Sequence, residues 1–231
     1  MPENARELVV LQRTGLLPAR SRAVAILQRL GIPGFSYRRF AASYVQRNSK
    51  KVDSEYFSMM EAEAEALLAH VPSQNMRVLD IGAGLAGVDL FLSKRLKLKK
   101  IILLDKSSVN RHVFYGFKRA GSFYNSLELA KELLVRNGVA PSRVVCMEAP
   151  DDGEIDLPRG SVDLVLSTLS WGFHYPVSFY LESVRQILSK NGVLIIDVRK
   201  NQGGLEALEA VFSLKVIGES DRAVRVVASR S

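Results

Sequence analysis

The chain has 231 residues, 47% hydrophobic and 24% charged, which fits one domain of about 100–200 residues plus an extension and excludes a disordered polymer. No apolar run approaches the roughly 18 residues a membrane span needs, residues 1–30 alternate apolar residues with Arg instead of forming a secretory leader, and the single Cys146 excludes an intrachain disulfide. The net charge is +8; ten Lys/Arg against two Glu lie in residues 1–51 and 22 of each sign in residues 52–231, so the whole excess belongs to the first segment.

Taken in chain order, residues 4–14 and 20–30 show helical apolar spacing, broken at Gly15 and Pro18 and again at 31–34. A third short helix is expected over 36–47 and a strong one over 54–70, capped by Ser54. Strands and helices then alternate: strand 77–81, helix 88–98, strand 100–104, helix 127–136, strands 143–147 and 162–167, helix 179–188, strand 193–198, helix 205–210. Two last strands, 214–217 and 223–228, are joined by a hairpin-sized link at 219–222. This pattern predicts an α/β fold, a parallel sheet covered on both faces, with ligands at the carboxyl ends of the strands. The charge distribution suggests a basic helical N-terminal extension or cap, 1–51, and a second domain, 52–231.

The loop Gly82-Ala83-Gly84-Leu85-Ala86-Gly87 follows a strand and opens a helix. Its G-x-G-x-x-G spacing alone also fits a dinucleotide site. Asp80, two residues before the first glycine, argues against that: a carboxylate repels a pyrophosphate and suits the cationic ammonium and sulfonium of S-adenosylmethionine. Asp105 ends the second strand one βα unit later, where a carboxylate accepts hydrogen bonds from both ribose hydroxyls. Glu148 ends the third strand, within reach of an adenine amino group.

In combination, VLDIGAG, LLDK, VDLVLS, GVLIIDV and the terminal hairpin resemble the class I S-adenosylmethionine-dependent methyltransferase core over residues 54–231. The resemblance implies a three-layer α/β/α Rossmann-like fold with a seven-stranded, mostly parallel sheet whose last strand is antiparallel. It implies that Asp80, Gly82, Ala83 and Gly84 hold the methionine part of the cofactor and Asp105 the ribose. Lys106, Glu148 and Ala149 then lie near the adenine, and Ser167 completes the set of cofactor contacts. Two departures stand out. The family's third glycine is Ala86, acceptable if that position is already helical, and Lys106 replaces an apolar residue.

The segment 167–176 lies where the family places acceptor contacts. Its one histidine, His174, has an ordinary pKa of about 6.5 that suits a general base for a hydroxyl acceptor, or it is a structural loop histidine. No Asn/Asp-Pro-Pro-Tyr/Phe run follows the fourth strand and no Pro-Cys pair exists, which removes the usual DNA base methylations. The expectation is methylation of an O or N atom of a small, anionic or sugar-type acceptor in a cytoplasmic enzyme. The alternative is an RNA methyltransferase that uses the basic-aromatic segments 35–51 and 106–125; a non-catalytic cofactor-binding module or a dinucleotide enzyme is a third reading. His70, His112 and His174 show no metal spacing, and no metal is expected.

Overall fold

The structure is a computed structural model that describes residues 1–2, 4–18, 20–30, 36–72, 76–107 and 125–230. Most of the basic-aromatic segment 106–125, and Phe35 of the other, lie outside the described residues.

The N-terminal segment forms α1 (Ala5–Gln12), α2 (Arg20–Arg29) and the long α3 (Tyr37–Leu68). The helices expected at 36–47 and 54–70 are two halves of α3, which also runs across residue 51. A kink separates them at Asn48 (φ −131°, ψ 25°), whose side-chain amide donates to the Tyr44 carbonyl at 2.9 Å. That side-chain bond takes an acceptor belonging to the helix ladder, which bends the helix without ending it. Ser36 caps the start by accepting from the Arg39 N–H.

There follow β1 (Met76–Ile81), α4 (Gly87–Arg95), β2 (Leu98–Asp105), α5 (Leu127–Arg136), β3 (Val144–Glu148), β4 (Val162–Ser167), β5 (Ser170–Tyr175), α6 (Leu181–Ile187), β6 (Leu188–Arg199), α7 (Gly204–Glu209), β7 (Ser213–Glu219) and β8 (Ala223–Ser229). Seven strands make one sheet in the order β3-β2-β1-β4-β6-β8-β7. The pairs among β3, β2, β1, β4 and β6 are parallel, and β8 runs antiparallel to both β6 and β7. Strand order reverses between β1 and β4, so the ligand crevice lies at their carboxyl ends.

Both sheet faces are covered, as continuous apolar strands require. Val78, Leu103, Leu164, Leu166 and Ile195 face a core shared with α1, α3, α4 and α5. Their neighbours Leu79, Ile102, Leu104, Val165, Leu194 and Ile196 face a second core with α6, α7, Trp171 and Tyr180. The N-terminal helices therefore belong to the first core; Arg6 also clamps α1 to α3 through two 2.9 Å bonds to Asp53.

Three expectations from the sequence shift. α4 stops at Arg95, and Leu98 already belongs to β2. Leu188 opens β6 instead of closing a helix: it pairs with Val162, and the register then shifts so that the next pair is Leu164 with Val193 and residues 189–192 lie between the two pairs. The segment 170–175, expected as loop, is the strand β5, which lies along β6 outside the seven-stranded order.

Candidate active site

The carboxyl ends of β1, β2 and β4 converge on the glycine loop. Gly82 has φ +77°, and a Cβ there would stand 1.8 Å from the Ser170 hydroxyl, so only glycine allows β5 to approach. Ala86 is fully buried at φ +56° immediately before α4. The condition under which alanine would be acceptable here, a helical backbone, is not met: an L-residue is held in the left-handed region, at a cost of roughly 1–2 kcal/mol.

Asp105 ends β2 and reaches under the loop. Its Oδ2 accepts from the Gly84 N–H and from Asn125 Nδ2, both at 2.9 Å, and its Oδ1 accepts from the Lys106 N–H at 2.7 Å. Burial pushes its carboxyl up to about 6 despite these donors. Asn125 passes the contact on, because its Oδ1 accepts from Gln12 Nε2 at the end of α1. The Gln12 side-chain oxygen also lies 2.8 Å from where a Cβ on Gly84 would stand, so the N-terminal segment closes over the loop.

Beneath the loop sit two carboxyl groups. Asp80, at the end of β1, is 5% exposed, and Asp89, in the first turn of α4, is 0% exposed. Among the described residues, no N–H or O–H donor of another residue meets either side-chain oxygen of Asp89; the Asp80 carboxyl and its own backbone N–H are its near neighbours. Burial, and next the charge of Asp89, push Asp80 well above the usual carboxylate range; burial likewise raises Asp89 to about 6. Sequence reading missed Asp89 because an acid in a first helical turn reads as a dipole partner facing water.

On the β3 side, both Glu148 oxygens accept from the Ser107 N–H, at 3.0 and 3.2 Å, and Ala149 N–H donates to the Asp105 carbonyl at 3.0 Å. Lys106 turns its ammonium to Asp151. Ser167 is wholly buried; its hydroxyl donates to the Ile81 carbonyl and accepts from the Trp171 N–H, both at 2.9 Å. Its visible role is to hold β5 against β1.

The turn from β4 to β5, where the sequence suggests acceptor contacts, begins at Leu169, a non-glycine residue at φ +53°. Its N–H donates to Asp197 Oδ2 at 3.0 Å. Arg225 binds the same carboxylate through Nε (2.6 Å) and Nη2 (2.7 Å) and also donates to Glu63 at 3.0 Å, and Glu63 accepts from Arg13 at 3.1 Å. Trp171, Tyr175, Phe179 and Tyr180 make edge-on ring contacts along one wall. The Tyr175 phenol hydrogen-bonds the Ser170 side chain, and burial, Tyr180 and the charges of Asp105 and Asp80 hold it protonated. His174, the candidate base, is half-buried on β5 and meets the Phe173 ring edge-on, 4.9 Å between centroids. Gln12 and Asn125 match no cofactor motif and carried no sequence signal.

A seven-stranded sheet of this order and hairpin, with the glycine loop after β1 and carboxylates ending β1 and β2, defines the class I, Rossmann-like methyltransferase fold. Solved structures agree on the fold. A SAM-dependent methyltransferase from Aquifex aeolicus superposes with TM-score 0.51 at 18% identity, over 71% of this chain and 88% of its own. A protein described as an S-adenosyl-L-methionine-dependent methyltransferase from Methanococcus maripaludis gives 0.54 at 15% identity, over 80% and 91%. The cyclase SpnF gives 0.50 at 15% identity, over 67% and 58%. No protein-family model and no curated sequence matches the chain. No helix among the described residues is long and apolar enough to cross a membrane.

The carboxyl pair makes stability depend on pH. Both folded-state values lie above the unfolded value of about 3.9, so the native protein binds more protons and loses stability as pH rises through about 4–6 and beyond. Asp89→Asn is expected to stabilise the ligand-free protein by about 1–3 kcal/mol at pH 7.5 and to change it little at pH 4.5. Urea unfolding at both values checks this; equal destabilisation at both would contradict it.

Proposed function

We propose that the chain is an S-adenosylmethionine-dependent methyltransferase acting on an oxygen or nitrogen of a small, anionic or sugar-type acceptor. The observation that carries the donor assignment is the pair of carboxylates at the ends of β1 and β2, Asp80 and Asp105, on either side of the glycine loop. A dinucleotide would bring its pyrophosphate to these negative groups, whereas an ammonium and a sulfonium are attracted by them. The unpartnered Asp89 oxygens add a second demand for a cation.

In this reading Asp80 and the backbone of Gly82, Ala83 and Gly84 hold the methionine part. Asp105 takes the ribose hydroxyls, aided by Asn125, and Glu148, Ala149 and Lys106 border the adenine. Ser167 acts through the position it gives β5. The cofactor supplies an activated methyl group; the protein's part is to align the acceptor with it and to keep water out, which can supply about 7–11 kcal/mol. Calorimetry is expected to detect S-adenosylmethionine binding and no NAD binding, with affinity at least about tenfold weaker in Asp105→Ala, the loss of one charged hydrogen-bonding partner. Binding of NAD alone would end the methyltransferase reading.

His174 is the proposed general base for a hydroxyl acceptor. With the acceptor found by methyl-transfer screening, His174→Ala is expected to lower kcat by about 10²–10⁴ and to remove the acidic limb of the pH–rate profile. Full turnover by the variant would exclude this role.

A second reading, an RNA acceptor, is favoured by the exposed Arg38, Arg39, Arg47, Lys50 and Lys51 on α3. Its binding would weaken with salt by about 0.7 logarithmic units per phosphate contact on single strands. An RNA mobility shift across a salt series tests it, and no shift at low salt would end it.

A further inference from the structure

Both side-chain oxygens of Asp89 are wholly buried, and among the described residues the groups within hydrogen-bonding reach of them are the Asp80 carboxyl and Asp89's own backbone N–H, with no donor from another residue. A buried carboxylate without a partner is unfavourable by several kcal/mol unless it is neutralised. The groups around it offer little relief. From α3 come Glu63 and the Tyr56 phenol, which accepts from the Gly87 N–H and is held protonated by burial. Asp105 faces the pair from β2 and Tyr175 from β5, and Arg13 lies near Tyr56 but is bonded to Glu63. The matching neighbour is Asp80, and two carboxyl groups become hydrogen-bond partners only when one is protonated.

We propose that Asp80 and Asp89 hold one proton between them in the cofactor-free protein, and that the ammonium group of an incoming S-adenosylmethionine takes that proton's place. This rests on the cofactor assignment above and extends it, making Asp89 a second cofactor-binding carboxylate. The charges balance. The free pair carries one proton and one negative charge; when the ammonium enters, the proton leaves to solvent and two carboxylates face one cation. The site keeps its net charge, and no buried carboxylate is left alone in either state. Binding then strengthens as pH rises, because the proton must leave first.

The test is calorimetry at pH 6.5 in two buffers of different ionisation enthalpy. At this pH the ligand's α-amino group, with a pKa near 7.7–8.0, is already protonated, so any proton released comes from the protein. S-adenosylmethionine is expected to release protons on binding, up to one per molecule, with affinity rising by at most tenfold per pH unit between pH 5.5 and 6.5. Methylthioadenosine, which keeps the ribose and adenine but has no ammonium, is expected to release clearly less, only the fraction that Asp105 gives up to the ribose. Asp89→Asn is expected to bind S-adenosylmethionine with release lowered to that same fraction. Equal release by methylthioadenosine would assign the proton to Asp105 and overturn the proposal, as would binding of S-adenosylmethionine with no release. Failure of the wild-type protein to bind S-adenosylmethionine at all would instead overturn the methyltransferase reading on which the proposal stands.

Discussion

Arg225 ties together more of this molecule than any other side chain of the ion network. It lies on β8, antiparallel to its neighbours, and its guanidinium reaches both the sheet and the helical layer. Two bonds fix it to Asp197 on β6 and a third to Glu63 on α3. Glu63 carries the chain of alternating charge to Arg13 behind α1, and Asp197 carries it to the Leu169 N–H in the turn between β4 and β5. The side chain is 19% exposed and Asp197 only 5%, so these are not surface pairs whose value water removes. Removing one member would leave a mostly buried charge unpaired, the costly case for ion pairs. The network thereby links the position of the N-terminal helices to the shape of the turn between β4 and β5.

The other organising constraint is unfavourable. Asp80, Asp89 and Asp105 are brought together where burial raises each of them above the ordinary carboxylate range. Ala86, in the glycine loop between them, holds left-handed backbone. Strain and buried like charge at one spot are tolerated only where the surrounding packing is strong, and here two apolar cores flank the sheet. Such a site is stabilised by a cation and destabilised by an anion, which is the physical content of the cofactor assignment.

How much of this was legible in the sequence follows from which interactions are local. The strands buried on both faces form continuous apolar runs, and β1, β2 and β4 lie within two residues of their expected positions. Asp80 and Asp105 were readable because each terminates such a run beside a glycine loop. The Asn48 kink was readable only as a gap between two helical patterns, since the bond to the Tyr44 carbonyl leaves no periodicity. β5 was missed because Trp-Gly-Phe-His-Tyr does not alternate apolar with polar, and a positive-φ glycine, Gly172, sits inside it. Gln12, Asp89, Asn125 and Arg225 reach the site by tertiary packing: Gln12 and Asn125 are 113 positions apart, and Glu63 and Arg225 are 162. No local pattern encodes such a meeting.

The two halves of the charge distribution now have a spatial logic. Acids gather at the ends of β1 and β2 and the start of α4, whereas the exposed cations Arg38, Arg39, Arg47, Lys50 and Lys51 stand on the N-terminal part of α3 to either side of its kink, in the helical layer whose α1 end reaches the glycine loop. In the RNA reading, a cationic methyl donor and the anionic acceptor would each be drawn to a different part of the surface, and neither would compete for the other's ground. Charge separation of this kind discriminates between partners without requiring a deep acceptor pocket. In the proposed reading the donor would be met by carboxylates at strand ends, which the sequence displays beside its glycine loop, whereas no local pattern marks the acceptor contacts.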